Sequence, residues 1–141
     1  MSPAEDIIPA AADGGGPVIL VAEDEVMLRL AISEHLRTRG FTVIEAASAE
    51  EARCVLLSGI EIDLVFSDIQ MPGEMDGVAL AQWLAINHPD IPVVLTSGAA
   101  NSLALASAAC AQVKEFVVKP YAHDVLTGRF RVHLARRARL S

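Results

Sequence analysis

Cysteine is scarce in this chain, with two among 141 residues, and so is positive charge, with 11 Lys and Arg set against 18 Asp and Glu. Two cysteines cannot form a disulfide framework, and Cys54 and Cys110 fall in unrelated helical segments without metal-ligand spacing. Both therefore read as small packing residues of a reduced protein. The net charge of -7 argues against a general nucleic-acid binder, because affinity for a phosphate backbone comes from clustered Lys and Arg. No apolar run approaches the ~18 residues of a membrane span, and the N-terminus lacks a basic region followed by an apolar one. The expectation is a soluble, cytoplasmic protein with neither a membrane nor a nucleic acid as partner.

What the chain does contain is a repeated alternation of short apolar runs and helical stretches. Residues 1–16, rich in Ala, Gly, Pro and acids and closing in Gly14-Gly15-Gly16, have too little apolar surface to order themselves and read as a disordered tail. A single domain is expected from Pro17 to Ser141, with the run-then-helix pattern repeated five times as in a doubly wound α/β fold. The first helix, Glu25 to Arg39, aligns Leu28, Ile32 and Leu36 on one stripe and stops at Gly40. A strand follows over Thr42 to Ala46. Ser48 then reads as the N-cap of a second helix, with Glu50 and Glu51 placed favourably against its dipole. A third helix is expected over Val78 to Asn87. A fourth, about 102–112, is built of Ala, Ser and Leu and has few large side chains to anchor it. The last, about His123 to Arg139, turns Leu126, Phe130 and Leu134 inward.

Four apolar runs end in residues able to handle a phosphate. Val18–Ala22 runs into Glu23-Asp24, Leu64–Ser67 into Asp68, Val93–Leu95 into Thr96, and Phe116–Val118 into Lys119-Pro120. In a parallel sheet all strand C-termini share one edge, and ligands bind in the crevice outside it. The four ends thus predict one site of three carboxylates, a hydroxyl and an ammonium. Carboxylates packed this closely repel one another unless a cation neutralises them, and an all-oxygen set with open positions suits Mg²⁺. Taken singly, an Asp after a strand is usually a turn former and a Lys-Pro a loop entry; turn chemistry alone does not explain the right types at four strand ends.

These residues, together with the segment from Asp68 to Gly77 and the triplet Thr96-Ser97-Gly98, make Val18 to Leu134 resemble a receiver domain of the two-component response regulators. The resemblance implies a five-stranded parallel sheet of order 2-1-3-4-5. It implies Asp68 as phosphoacceptor, with Mg²⁺ held by Asp24, Asp68 and the backbone carbonyl of Gln70, and with Glu23 acting through metal-bound water. Lys119 would pair with a phosphoryl oxygen, and its bond to Pro120 would be cis. Thr96 would move toward the phosphoryl group, and Phe116 would be the switch aromatic that turns into the space Thr96 vacates. The implied donor is a histidine kinase or histidine phosphotransfer protein. The implied output is a protein target docked through the fourth helix, fifth strand and fifth helix, from a stand-alone receiver that is no enzyme beyond promoting its own phosphorylation and dephosphorylation.

The chain departs from the commonest family pattern in three places. Its acidic pair is Glu-Asp, the loop after Asp68 is one residue longer, and Phe116 stands where Tyr is frequent, which removes a hydroxyl. Two other readings remain beside it. A receiver-like binding module would keep the fold without the chemistry. A phosphatase of the haloacid dehalogenase type would need an acid two residues after the nucleophile, where this chain has Gln70. DNA binding through Arg129, Arg131, Arg136, Arg137 and Arg139 is weaker, since these read as the solvated face and cationic end of a helix.

Overall fold

The computed structural model describes residues 15–98 and 112–140, excepting the side chains of the last two. The expectations for most of the N-terminal tail, for the helix over 102–112 and for Cys110 lie outside the described residues. Within them the elements are β1 (Val18–Ala22), α1 (Val26–Thr38), β2 (Thr42–Ala46), α2 (Ala49–Leu57), β3 (Leu64–Asp68), α3 (Gly77–Asn87), β4 (Val93–Ser97), β5 (Val113–Val118) and α4 (His123–Leu140). The strands form one sheet of order β2-β1-β3-β4-β5, and every pairing is parallel.

Both faces of the sheet are covered, which is why the inner strands β1, β3 and β4 are almost wholly buried and mainly apolar, whereas the edge strands β2 and β5 carry polar residues. Leu20, Ala22, Val65, Val93 and Leu95 pack with Ala49, Ala52 and Leu56 of α2 and Leu80 and Leu84 of α3. On the opposite face, Ile19, Val21, Leu64, Phe66 and Val94 pack with Ile32 and Leu36 of α1 and Leu126 and Phe130 of α4. Phe130 is fully buried with its ring set edge-on to Phe66, centroids 5.3 Å apart. A side chain of this kind contributes roughly 1.5–3 kcal/mol by leaving water.

Helix starts follow local chemistry. Ser48 accepts the amide of Glu51 at 3.1 Å, and Glu51 reaches back to the amide of Ala47 at 3.0 Å, which satisfies two donors near the start of α2. Asp76 accepts the amide of Ala79 at 2.9 Å and so starts α3 at Gly77, one residue earlier than expected. Two expectations need correction. Cys54 is exposed, because it lies off the Ala49–Ala52–Leu56 stripe by which α2 meets the sheet. Arg137 is no solvated cation: it bonds Asp63 at 2.8 Å and Asp90 at 3.2 Å, and Arg131 lies 4.6 Å over the Phe41 ring. These basic groups tie α4 to the sheet's loops and to α1.

Candidate functional site

The register of the sheet decides which strand ends meet. Ala22 lies beside Ser67 across β1 and β3, and Asp68 lies beside Thr96 across β3 and β4. The residues just past β1 and at the end of β3 therefore share one crevice. Ligand oxygens of Glu23, Asp24 and Asp68 all lie within 4.8 Å of one another. Glu23 and Asp68 are buried, at 3% and 6% exposure, whereas Asp24 is exposed and leaves the cluster open to solvent on its side.

Lys119 crosses to this cluster from the end of β5. Its main-chain amide donates to the Ser97 carbonyl at 2.9 Å, its bond to Pro120 is cis, and its Nζ donates to Asp68 Oδ2 at 2.6 Å and Glu23 Oε1 at 2.8 Å. The remaining carboxylate oxygens are also engaged. Asp68 Oδ1 accepts the amide of Gln70 at 3.1 Å, and Glu23 Oε2 accepts that of Glu25 at 3.1 Å. Burial opposes charge on the Lys119 ammonium, but its bonds to Asp68 and Glu23 prevail and hold its pKa above the ordinary value. Burial, assisted by the neighbouring Asp68 charge, raises the Glu23 pKa in spite of the Lys119 bond.

Of the groups nominated from the sequence, Glu23, Asp24 and Asp68 lie together and Lys119 bonds Glu23 and Asp68; of the acidic pair, Glu23 is the one that bonds Lys119, and Asp24 is exposed. Thr96 is 1% exposed, and its Oγ1 has no hydrogen-bond partner among the described residues even though its strand neighbour is Asp68. Phe116 sits opposite Leu95 on β5, half-buried against the α2 and α3 side of the core. Three contributors escaped the sequence reading. Tyr121 lies edge-on to Phe66, with ring centroids 5.6 Å apart, and burial with the nearby Glu23 charge pushes its hydroxyl pKa up to about 12. Gly77 passes so close to the strand end that a Cβ there would come within 2.1 Å of the Asp68 carbonyl oxygen. Glu50 accepts the amides of Glu74 and Met75 in the loop after Asp68, at 2.9 and 3.2 Å. The capping spacing Ser48-x-x-Glu51 assigns Glu51 to the start of the helix, but no sequence signal says which loop Glu50 meets.

The donor set is all oxygen and carries three negative charges against one positive. That is the chemistry a hard divalent cation such as Mg²⁺ fits, with the exposed side left for water or substrate oxygens. A separate cavity of about 690 Å³ opens at the opposite, N-terminal edge of the strands, lined by Pro17, Pro92, Gln112 and Leu134 among others. Among the described residues, its lining holds no such cluster of three carboxylates.

Fold and crevice define a receiver, and the comparisons with known proteins agree. The model of the response regulator receiver domain family matches residues 19–131. The C4-dicarboxylate transport transcriptional regulatory protein DctD of Rhizobium meliloti (strain 1021) is 38% identical over 125 residues, covering 86% of this chain and 25% of that protein. The sensor kinase CckA of Brucella abortus (strain 2308) is 43% identical over 88 residues, 62% of this chain and 9% of the kinase. A crystal structure of a response regulator receiver protein from Sinorhizobium medicae WSM419 superposes with a TM-score of 0.79 at 31% identity, covering 86% of this chain and 97% of that one. This chain belongs to the response regulator receiver domain family. It spans a quarter or less of the two curated relatives named, and among its described residues no helix is long and apolar enough to cross a membrane.

Proposed function

We propose that the chain is a phosphoacceptor that takes a phosphoryl group onto Asp68 from the phosphohistidine of a histidine kinase or a histidine phosphotransfer protein. One observation carries this reading. Asp68 is a buried carboxylate at the C-terminal edge of the sheet, bonded to an ammonium at 2.6 Å and flanked by two further acids whose far side is open. A carboxylate oxygen of Asp68 attacks phosphorus, the P–N bond breaks, and the imidazole nitrogen leaves with the bonding pair. Lys119 then holds a phosphoryl oxygen in place of the Asp68 oxygen it binds at rest. Asp24, Asp68 and the Gln70 carbonyl are the groups that would hold Mg²⁺, with Glu23 acting through water, and the ion when bound supplies positive charge to the phosphoryl oxygens. The protein's own contribution is placement and charge compensation, as in phosphoryl transfer generally.

The signal follows from the unpartnered hydroxyl. Thr96 Oγ1 is buried without a hydrogen bond among the described residues, so a phosphoryl oxygen on Asp68 offers it an acceptor. The loop after β4 is drawn inward and the Phe116 ring turns into the space released. A charge-assisted hydrogen bond is worth ~1.5–3 kcal/mol, enough to bias two pre-existing states without making a new fold. The output is a protein contact through β5 and α4, together with the helix expected over 102–112, which lies outside the described residues.

The deciding experiment is intact-mass analysis after incubation with acetyl phosphate and Mg²⁺. The parent should gain one acid-stable, base-labile phosphoryl group and Asp68→Asn none. Equal labelling of the variant removes Asp68 from its role. Hydrogen exchange over residues 98–121, with and without beryllofluoride as a phosphoryl mimic, tests the switch. If protection changes as much in Thr96→Ala as in the parent, the coupling through Thr96 is wrong.

A further inference from the structure

The loop between β3 and α3 forms the lip of the phosphoacceptor crevice, and one side chain from outside the crevice holds it. Glu50, in the first turn of α2, directs a single oxygen, Oε2, at two successive main-chain amides of that loop, those of Glu74 and Met75. The loop reaches this grip through Gly73, whose φ of +101° is a conformation side chains disfavour and whose missing Cβ would lie 2.7 Å from the same oxygen. Glu51 is already occupied with the start of α2, which leaves Glu50 free for the loop. Beyond the grip, Met71 and Met75 pack against the core. At the near end of the same loop, Gln70 donates its amide to Asp68.

Resting on the reading of Asp68 as phosphoacceptor, we propose that Glu50 is a positioning residue that latches the lengthened loop to α2 and so sets the placement of the Gln70 main chain beside Asp68. The loop carries one residue more than the commonest form of the family, and an extra residue gives a lip that packing at Met71 and Met75 alone does not confine. A carboxylate that accepts two consecutive amides restrains the added length at its tip. Hydrogen bonds from its own amide and from Met75 and Glu74 outweigh partial burial and lower the Glu50 pKa, so the latch is a charged acceptor at neutral pH. Its loop bonds are to the Glu74 and Met75 amides, whereas Asp68 is bonded by Lys119 and the Gln70 amide. Its effect on phosphoryl transfer is therefore indirect and should be felt in the demand for Mg²⁺ more than in the limiting rate.

The test compares the parent with Glu50→Ala, Glu50→Gln, a deletion of Glu74, and the deletion combined with Glu50→Ala. Two readouts are used: amide exchange at Glu74 and Met75, and the Mg²⁺ concentration giving half-maximal labelling by acetyl phosphate, with Mg²⁺ affinity measured separately by calorimetry. Glu50→Ala should lose protection at both amides, weaken Mg²⁺ affinity about three- to tenfold, and recover the parent's labelling rate at saturating Mg²⁺. Glu50→Gln, which keeps an acceptor oxygen, should restore most of both effects. In the shortened loop, Glu50→Ala should change nothing further, since the slack it restrains is gone. Unchanged Mg²⁺ affinity in Glu50→Ala, or an equal loss in the long and short loops, overturns the proposal. If the parent takes no label at all, the phosphoacceptor reading fails, while the exchange and calorimetric arms still decide whether the latch places the Gln70 main chain.

Discussion

Replacing Lys119 with Met is the most direct perturbation of the crevice, because it removes the positive charge from two buried acids while keeping a stem of similar length. Among the described residues, Lys119 is the one cation bonded to the side chains of both Asp68 and Glu23. Arg29 also reaches Glu23, but only at its main-chain oxygen. The bonds, at 2.6 and 2.8 Å, are in the charge-assisted range, and each is worth ~1.5–3 kcal/mol. Removing one partner of a buried pair typically costs ~3–5 kcal/mol, since the other charge is left without compensation. The side chains here are only 4% and 8% exposed at Glu23 and Asp68 and 17% at Lys119, so solvent screening does little to reduce this. The open side at Asp24 lets water approach, which places the expected loss near the low end, about 3 kcal/mol. With a urea dependence of ~2 kcal/mol per molar, the unfolding midpoint in EDTA should fall by roughly 1.5 M. Adding Mg²⁺ should narrow the gap, because the variant has more uncompensated charge for the cation to neutralise and binding to the folded state alone yields ~2.7 kcal/mol at a hundred times Kd. A variant within about 0.5 kcal/mol of the parent in EDTA would refute the argument that this pairing compensates the buried acids.

Three further outcomes follow from single contacts. Thr96→Val should stabilise the unphosphorylated protein by about 1 kcal/mol in thermal melts, because a buried hydroxyl without a partner among the described residues is replaced by a methyl of the same shape; a loss of stability would mean the hydroxyl is satisfied. Glu23 has a raised folded pKa against an ordinary 4.5, so the stability it contributes is complete below that value and is lost as pH rises through the folded one. Metal-free Glu23→Gln should therefore match the parent near pH 4 and exceed it at pH 7, which denaturation at both pH values would measure; a constant difference would contradict the shift. Gly77→Ala should cost roughly 1–3 kcal/mol by forcing a Cβ against the Asp68 carbonyl, with slower labelling of Asp68 by acetyl phosphate; a neutral result would show that the strand end yields freely.

How far the sequence alone carries can be judged element by element. Apolar runs of three or four residues ending in Asp68, Thr96 and Lys119, alternating with helical stretches, pointed to strands of a parallel sheet. Ser48, Gly40 and the Leu126–Phe130 spacing placed helix ends and inner faces by local stereochemistry alone. The residue types at the strand ends also identified the crevice, since a parallel sheet sends every C-terminus to one edge whatever the loops do. Individual partners were another matter. Lys119 meets Glu23 across 96 positions of sequence and Asp68 across 51, and its preference for Glu23 over Asp24 follows from strand register and the direction of each side chain. Of the neighbours Glu50 and Glu51, the second is set by its spacing from Ser48 to turn to the start of its own helix, but that the first meets a loop 24 residues away is decided only by packing. Successive residues on a helix point about 100° apart. Sequence therefore set which elements form and which residue types gather at the sheet edge, while register and side-chain direction, properties of the packed chain, decided which acid holds the lysine and which holds the loop.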